Sequence, residues 1–221
     1  MKKILFAINS NGLGHATRCI PLINSLIKNH EIYILSNFRA LDYLKHEYGN
    51  KIKSYIQLPD YSFQKSFITK KKVSVEKFLI YFPKYLKEII NEHTKFKKIH
   101  KKYGFDLIIS DTRYGVYSST VPSFMIYHHI KLHIEQAKNL SQSASELMIY
   151  LLKNKFTKIL IPDYKENSLA DSITHDFRYL QKNDYDYIGL LSMMNKLKIK
   201  EDIDYFFSIS GPEPQRTVLK K

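Results

Sequence analysis

Short apolar runs alternate along the chain with stretches in which apolar residues recur every three or four positions. The unbroken apolar run at 4–8 is typical of a strand buried on both faces of a parallel sheet. Similar runs predict strands over 31–35, 52–56, 105–110, 122–127, 158–161 and 185–188. Helical spacing predicts helices over 16–27, 40–48, 75–96 and 143–152. The alternation predicts an α/β fold, a doubly wound Rossmann-like parallel sheet with helices on both faces.

Two prolines fall inside helical patterns. Pro21 lacks an N–H, so the first turn of its helix should be bent or separately wound. Pro83 predicts a kink in the long helix.

The first strand and the first helix are joined by a glycine-containing loop, Asn-Ser-Asn-Gly-Leu-Gly-His-Ala-Thr-Arg at 9–18. Gly12 and Gly14 permit a sharp turn, and the helix that follows directs free N–H groups and its positive dipole end at the loop. An anionic group would be stabilised there. His15, at the mouth of the helix, can act as a general base or simply bond the loop backbone.

Two common glycine-loop functions do not fit this sequence. The dinucleotide fingerprint needs a third glycine where Thr17 stands, and an acid where the second strand ends at Ser36. A Walker-type phosphate loop needs Gly-Lys-Ser/Thr, whereas Gly14 is followed by His15. Neither a nicotinamide or flavin cofactor nor a Walker-type nucleotide site is predicted.

Four stretches, in order along the chain, resemble the GT-B glycosyltransferases, particularly the MurG-like group. They are the loop at 11–18, Ser-Asp-Thr-Arg-Tyr-Gly at 110–115, Ile-Pro-Asp-Tyr at 161–164 with Asn-Ser-Leu-Ala at 167–170, and Ser-Gly-Pro-Glu-Pro-Gln-Arg-Thr at 210–217. The resemblance implies the acceptor-side half of an enzyme that moves a sugar from a nucleotide-sugar donor to an acceptor hydroxyl. It implies no obligatory metal and no cofactor besides that donor.

The resemblance also implies roles for individual residues. His15 would be the general base and Asp111 would orient it, although Asp111 could instead cap a following helix. The residues that would bind substrate are Asn11, Gly12, Gly14, Arg18, Arg113, His128 and Asn167. The residues that would bind the donor phosphates are Ser210, Gly211, Glu213, Gln215 and Arg216.

One histidine pair has the spacing of metal ligands. His129 and His133 stand four residues apart, but the glutamate of the HExxH motif is absent and no carboxylate or thiolate ligand stands nearby. We therefore expect no metal site.

The chain is strongly basic, with a formal net charge of +14, but five of its 35 basic residues are Arg and the rest are Lys. The lysines are spread over most helix faces, and no helix-turn-helix, zinc-finger or RNP signature occurs, so a specific nucleic-acid partner is not expected. The single Cys19 fits a reducing compartment and a small core position. No apolar run is long enough to cross a bilayer, which predicts a cytoplasmic protein.

Lysines and aromatic residues lie together over 63–87. They fit either a packed helix with a solvated basic face or peripheral contact with the anionic inner face of a membrane.

The pattern of elements predicts a first domain over 1–189 and a lysine-rich linker over 190–201. Residues 202–221 would begin a second, donor-binding Rossmann-like domain, with a strand at 205–209 and a helix from Pro214. We expect that domain to be truncated and this chain alone to be inactive. Two alternatives stay open: a nucleotide-sugar 2-epimerase of the same architecture, or a non-catalytic binding half-protein.

Overall fold

A computed structural model of the chain describes residues 1–62, 75–131 and 138–194, together with Tyr205. Seven parallel strands form one sheet in the order β3-β2-β1-β4-β5-β6-β7. The strands are β1 Lys3–Ile8, β2 Glu31–Ser36, β3 Ser54–Gln57, β4 Leu107–Asp111, β5 Ser123–Ile126, β6 Lys158–Ile161 and β7 Tyr185–Tyr187. The prediction of a Rossmann-like α/β fold is confirmed.

The described helices cover this sheet. They are α1 Gly14–Leu26, α2 Phe38–Tyr48, α3 Val75–Tyr103 and α4 Lys138–Lys153, with short 3-10 turns at Gly49–Lys51 and Asp171–Ile173. Pro21 and Pro83 lie inside α1 and α3. The separately wound first turn predicted from Pro21 is wrong, because α1 runs unbroken from Gly14. Its buried side stays packed around Cys19 and Ile20, so the helix tolerates the loss of one main-chain bond.

Strand β1 shows that helices pack on both faces. Ile4, Phe6 and Ile8 belong to the apolar cluster that contains the buried residues of α1 and α2. The alternate residues Leu5 and Ala7 belong to a second cluster with residues of α3, such as Phe96. Because successive side chains of a strand point to opposite faces, β1 lies between two helix layers.

The carboxyl ends of the strands meet at one edge of the sheet. Strand β1 pairs with β2 on one side and with β4 on the other, and Ile8 stands beside Asp111 in the β1–β4 register. The strand order therefore reverses at β1, and open α/β sheets bind ligands in the crevice outside such a point. The glycine loop and the loop after β4 both leave from this crevice.

The division into domains stays a prediction, because most of 190–221 lies outside the described residues. Leu191, at the start of the predicted linker, packs against the cluster formed by β1 and α1. The predicted strand at 205–209 and the segment 63–74 also lie outside. None of the helices in the described part of the chain has the length and apolarity needed to cross a membrane. Location in the cytoplasm and contact with a membrane surface remain predictions.

Candidate active site at the carboxyl edge of the sheet

The glycine loop is held on two sides. The Asn9 side chain is buried, and its Oδ1 accepts a 2.8 Å hydrogen bond from the Asn11 N–H, which closes a tight turn. Ser10 donates from its N–H and its hydroxyl to the Asp60 carboxylate, in the loop after β3. Gly12 has a φ of +83°, a conformation that glycine adopts without strain. The loop therefore has a defined shape before any ligand binds.

His15 lies in the first turn of α1 and faces Asp111, the last residue of β4. Its Nδ1 is 2.9 Å from Asp111 Oδ1, and its side chain is 17% exposed whereas that of Asp111 is fully buried. Residues 112–122 form turns and loop rather than a helix, so Asp111 does not cap a helix and that alternative is wrong. The structure brings together the two residues that the resemblance implied as a catalytic pair.

The Asp111 carboxylate has three side-chain donors. Arg18 donates to both of its oxygens, with Nε 2.5 Å from Oδ2, and the Cys19 Sγ lies 3.5 Å from Oδ2. Burial by itself would raise the pKa of the Asp111 carboxyl. The hydrogen bonds and charges of Arg18 and His15 outweigh burial and lower that pKa to about 2. Asp111 is therefore an anion at any physiological pH.

Cys19 acts as a core residue, as its helical position predicted. Its side chain is completely buried. Burial, together with the nearby Asp111 charge, raises the pKa of the Cys19 thiol well above its usual range, so the thiol stays protonated and donates.

Each side-chain nitrogen of Arg18 contacts a group of the protein itself, and its implied role in binding substrate stays a prediction. Its Nε and Nη2 bond Asp111, its Nη1 bonds His128 Nδ1, and its side chain is 13% exposed. The positive charge of Arg18 is paired with the buried Asp111 carboxylate.

His128 follows β5 and completes the cluster. Its ring centroid lies 6.0 Å from that of His15, with the rings at 68°. Burial and the Arg18 charge lower the pKa of His128 to about 3, so its imidazole is neutral. His129 is exposed, and its ring centroid lies 4.1 Å from that of His128. His133, the other histidine of the pair, lies outside the described residues. Among the residues that the structure describes, no three His, Cys, Asp or Glu side chains form a group that could hold a metal ion.

Arg113 requires a correction. It stands in the loop after β4, but its side chain is 1% exposed and points into the protein rather than into the crevice. Its Nε bonds Glu92 at 2.8 Å, its Nη1 bonds Asp60 at 2.9 Å, and its Nη2 bonds the carbonyls of Leu58 and Pro59. All three nitrogens are used inside the protein, so Arg113 supports the site and does not bind substrate.

The other implied residues are distributed along the same edge. Asn11, Gly12 and Gly14 are exposed, and a Cβ added to either glycine would meet nothing within 4 Å, which leaves room for a ligand. Asn167 is exposed in the loop after β6, three strands from β1, or about 14 Å at the usual strand spacing. Ser210, Gly211, Glu213, Gln215 and Arg216 lie outside the described residues.

Two site residues were not found from the sequence. Asp60 joins the glycine loop to Arg113. Its position shortly after β3, at the carboxyl edge of the sheet, could have identified it as a site residue. Thr112 has a φ of +54°, unusual for a β-branched residue, and its Oγ1 lies 3.4 Å from His15 Nδ1. Backbone strain of this kind concentrates at functional sites, but a sequence gives no sign of it.

Solved structures with the same fold include two glycosyltransferases. CalG4, the calicheamicin glycosyltransferase, has a TM-score of 0.53 and 15% identity over 86% of this chain and 53% of its own. The glycosyltransferase of kitacinnamycin has a TM-score of 0.51 and 11% identity over 94% of this chain and 55% of its own. A UDP-N-acetylglucosamine 2-epimerase has a lower TM-score of 0.44 and 10% identity over 73% of this chain and 42% of its own.

The chain spans about half the length of the two glycosyltransferases, and at these identities the likeness establishes the fold. No curated protein matches the chain significantly. A sequence model described as glycosyl transferase family 1 matches residues 2–158, well over half of the chain. The chain therefore belongs to glycosyl transferase family 1.

Proposed function

We propose that this chain is the acceptor-side half of an enzyme that transfers a sugar from a nucleotide-sugar donor to an acceptor hydroxyl, with His15 as the general base. The observation that supports the proposal is the pairing of His15 Nδ1 with the buried Asp111 at the reversal of strand order. A carboxylate accepts hydrogen bonds only, so the neutral form of His15 carries its proton on Nδ1 and has the lone pair on Nε2. That nitrogen can take a proton from a hydroxyl.

The proposed step moves one proton and exchanges one bond. The acceptor hydroxyl gives its proton to His15 Nε2 while its oxygen bonds to the anomeric carbon of the sugar. The bond from that carbon to the diphosphate oxygen breaks, and the diphosphate leaves with the electron pair. Asp111 stabilises the imidazolium that forms. The N-terminal N–H groups of α1, which begins at Gly14, can stabilise the departing negative charge without a metal.

The donor site belongs to the same proposal. We propose that Ser210, Gly211, Glu213, Gln215 and Arg216 bind the donor phosphates in a second domain that begins near 202. Asn11, Gly12, Gly14, His128 and Asn167 would line the acceptor side. We also propose that the enzyme is MurG-like.

The test is a transfer assay on the full-length gene product with a panel of nucleotide sugars and acceptors. Removing a general base costs roughly 10²- to 10⁴-fold in turnover, so His15→Ala should lose that much while its melting temperature stays close to that of the wild type. The matched control is His46→Ala, an exposed histidine of α2, which should retain full turnover.

Two results would contradict the proposal. Near-normal turnover in a folded His15→Ala protein would show that His15 is a structural loop residue. Conversion of the nucleotide sugar without any acceptor present would identify an epimerase instead.

A further inference from the structure

Arg18 contacts His128 in a way that determines where the His128 ring carries its proton. A guanidinium group has donors only, and Arg18 Nη1 bonds His128 Nδ1. His128 Nδ1 must therefore supply the lone pair. Because the ring is neutral, its single proton resides on Nε2.

His15 has the opposite arrangement. Its Nδ1 lies 2.9 Å from Asp111 Oδ1 and carries the proton, so Nε2 has the lone pair. Arg18 Nη2 bonds Asp111 Oδ1 and also lies 2.7 Å from this Nδ1, so the ring nitrogen stands between a guanidinium donor and a carboxylate oxygen. If Nδ1 accepted from Arg18, its lone pair would face the charged Asp111 oxygen at 2.9 Å; a ring N–H directed at that full negative charge is the stronger interaction and favours the proton on Nδ1.

We propose that Arg18 is a positioning residue that anchors Asp111 beside His15 and bonds His128 directly, so that the two rings adopt opposite tautomers and the site presents a basic Nε2 on one ring and an Nε2–H donor on the other. The use of the basic nitrogen in catalysis rests on the proposed function; the tautomers themselves do not. Within the described part of the chain neither Nε2 has a hydrogen-bond partner. Both nitrogens are therefore open to a ligand.

This pair of nitrogens matches an acceptor that carries two neighbouring oxygens. One hydroxyl would donate to His15 Nε2 and lose its proton there, while a second oxygen would accept from His128 Nε2–H and keep the acceptor in place. The ring centroids are 6.0 Å apart, close enough for both rings to contact one small polyol. An alcohol with a single oxygen would satisfy one ring only.

Lysine could not replace Arg18 in this role. Arg18 reaches both oxygens of Asp111 and the His128 ring through three different nitrogens of one planar group. A lysine ammonium is a single nitrogen on a flexible stem, so it cannot hold both partners in fixed orientations.

The test measures ring protonation directly in the 221-residue chain. Long-range ¹H–¹⁵N correlation spectra of ¹⁵N-histidine-labelled protein distinguish protonated from bare ring nitrogens, and His15→Gln and His128→Gln variants assign the signals. The wild-type spectrum at mildly alkaline pH should show His15 protonated on Nδ1 and His128 protonated on Nε2. A wild-type His15 that carries its single proton on Nε2 would overturn the proposal, and so would a wild-type His128 that carries its proton on Nδ1 or is an imidazolium.

Substitution of Arg18 tests its part. In Arg18→Met, His128 should become a mixture of tautomers and its titration midpoint should rise by roughly one pH unit or more, because the adjacent cation is gone. Arg18→Lys should also give the tautomer mixture. Arg39→Met, at an exposed arginine of α2, should change neither ring. If the tautomer and the titration midpoint of His128 are unchanged in both Arg18 variants, the role of Arg18 is overturned. If the variants do not fold, the wild-type spectrum still decides the tautomers.

Simple alcohols test the two-oxygen acceptor. Titration with cis-1,2-cyclohexanediol should shift the Nε2 signals of both rings, whereas cyclohexanol should shift that of His15 alone. Equal responses to the two alcohols would overturn two-oxygen recognition. Failure of the His15→Ala turnover test would overturn the proposed function but leave these tautomers in place, so the two failures are distinguishable.

Discussion

The loop after β4 lies directly against α3, and Gly115 is the point of closest approach. A Cβ at this position would lie 2.6 Å from the Ile89 carbonyl oxygen, 2.8 Å from the His93 nitrogen and 2.9 Å from the Glu92 Cβ. Two of these three atoms belong to the helix backbone, which cannot rotate away as a flexible side chain could. We therefore predict that Gly115→Ala forces the loop and α3 apart.

The cost of this substitution follows from two local effects. Overpacking a close contact typically costs about 1–3 kcal/mol. Moving the loop would also lengthen the 2.8 Å bond from the Gly115 N–H to Glu92 Oε2, and a buried polar group that loses its partner costs about 1–3 kcal/mol. Because the two effects overlap, we expect a loss of about 2–4 kcal/mol. In a domain of this size that lowers the melting temperature by roughly 5–15 °C.

The measurement is urea and thermal unfolding of the 221-residue chain, with Gly14→Ala as the matched control. An added Cβ at Gly14 meets nothing within 4 Å, and this residue begins α1, where alanine is favoured. The control should therefore stay within about 0.5 kcal/mol of the wild type or become slightly more stable. Unchanged stability of Gly115→Ala, or an equal loss in both variants, would refute the steric reasoning.

Two further predictions concern buried charges. Arg113→Met should destabilise the chain by about 3–5 kcal/mol in urea unfolding, because Glu92 would be left buried without its cation. The control Arg178→Met, at an exposed site, should have almost no effect. Equal stability of the two variants would contradict the structural role of Arg113. Asp111 has a pKa of about 2 in the fold against 3.8 ordinarily, so its contribution of about 2 kcal/mol is present above pH 4 and is lost as the pH falls toward 2. Between pH 5 and pH 2 the wild type should lose about 2 kcal/mol more unfolding free energy than Asp111→Asn, and parallel curves for the two proteins would count against the shifted pKa.

The sequence predicted the central strands well because their residues are buried on both faces of the sheet. Each of the runs at 4–8, 31–35 and 158–161 lies in a strand whose bounds differ by at most one residue. The approach of His15 to Asp111 could also be predicted, because His15 follows β1 and Asp111 ends β4, and both strands end at the same edge of the sheet. Periodicity did not reveal that α1 would pass through Pro21 unbroken, because that outcome depends on how the helix packs.

The two arginines show where reasoning from sequence stops. Arg18 and Arg113 both stand in motifs of a sugar-transferring family, and a motif does not say whether a guanidinium binds a ligand or a carboxylate of the same chain. The partners of Arg113 lie 21 residues away in α3 and 53 residues away after β3. Only the folded chain brings these acceptors together, so the structural role of Arg113 was not predictable.

The buried position of Arg113 nevertheless connects it to the proposed chemistry. Asp60 accepts hydrogen bonds both from Arg113 and from Ser10 in the glycine loop, so one carboxylate ties that loop to the interior. Arg113 in turn is bonded to Glu92 of α3, which also accepts from the N–H of Gly115. A continuous series of hydrogen bonds and ion pairs thus connects the loop that precedes His15 and the loop that follows Asp111 to α3. Arg113 therefore serves the His15–Asp111 pair by fixing the two loops that set its geometry.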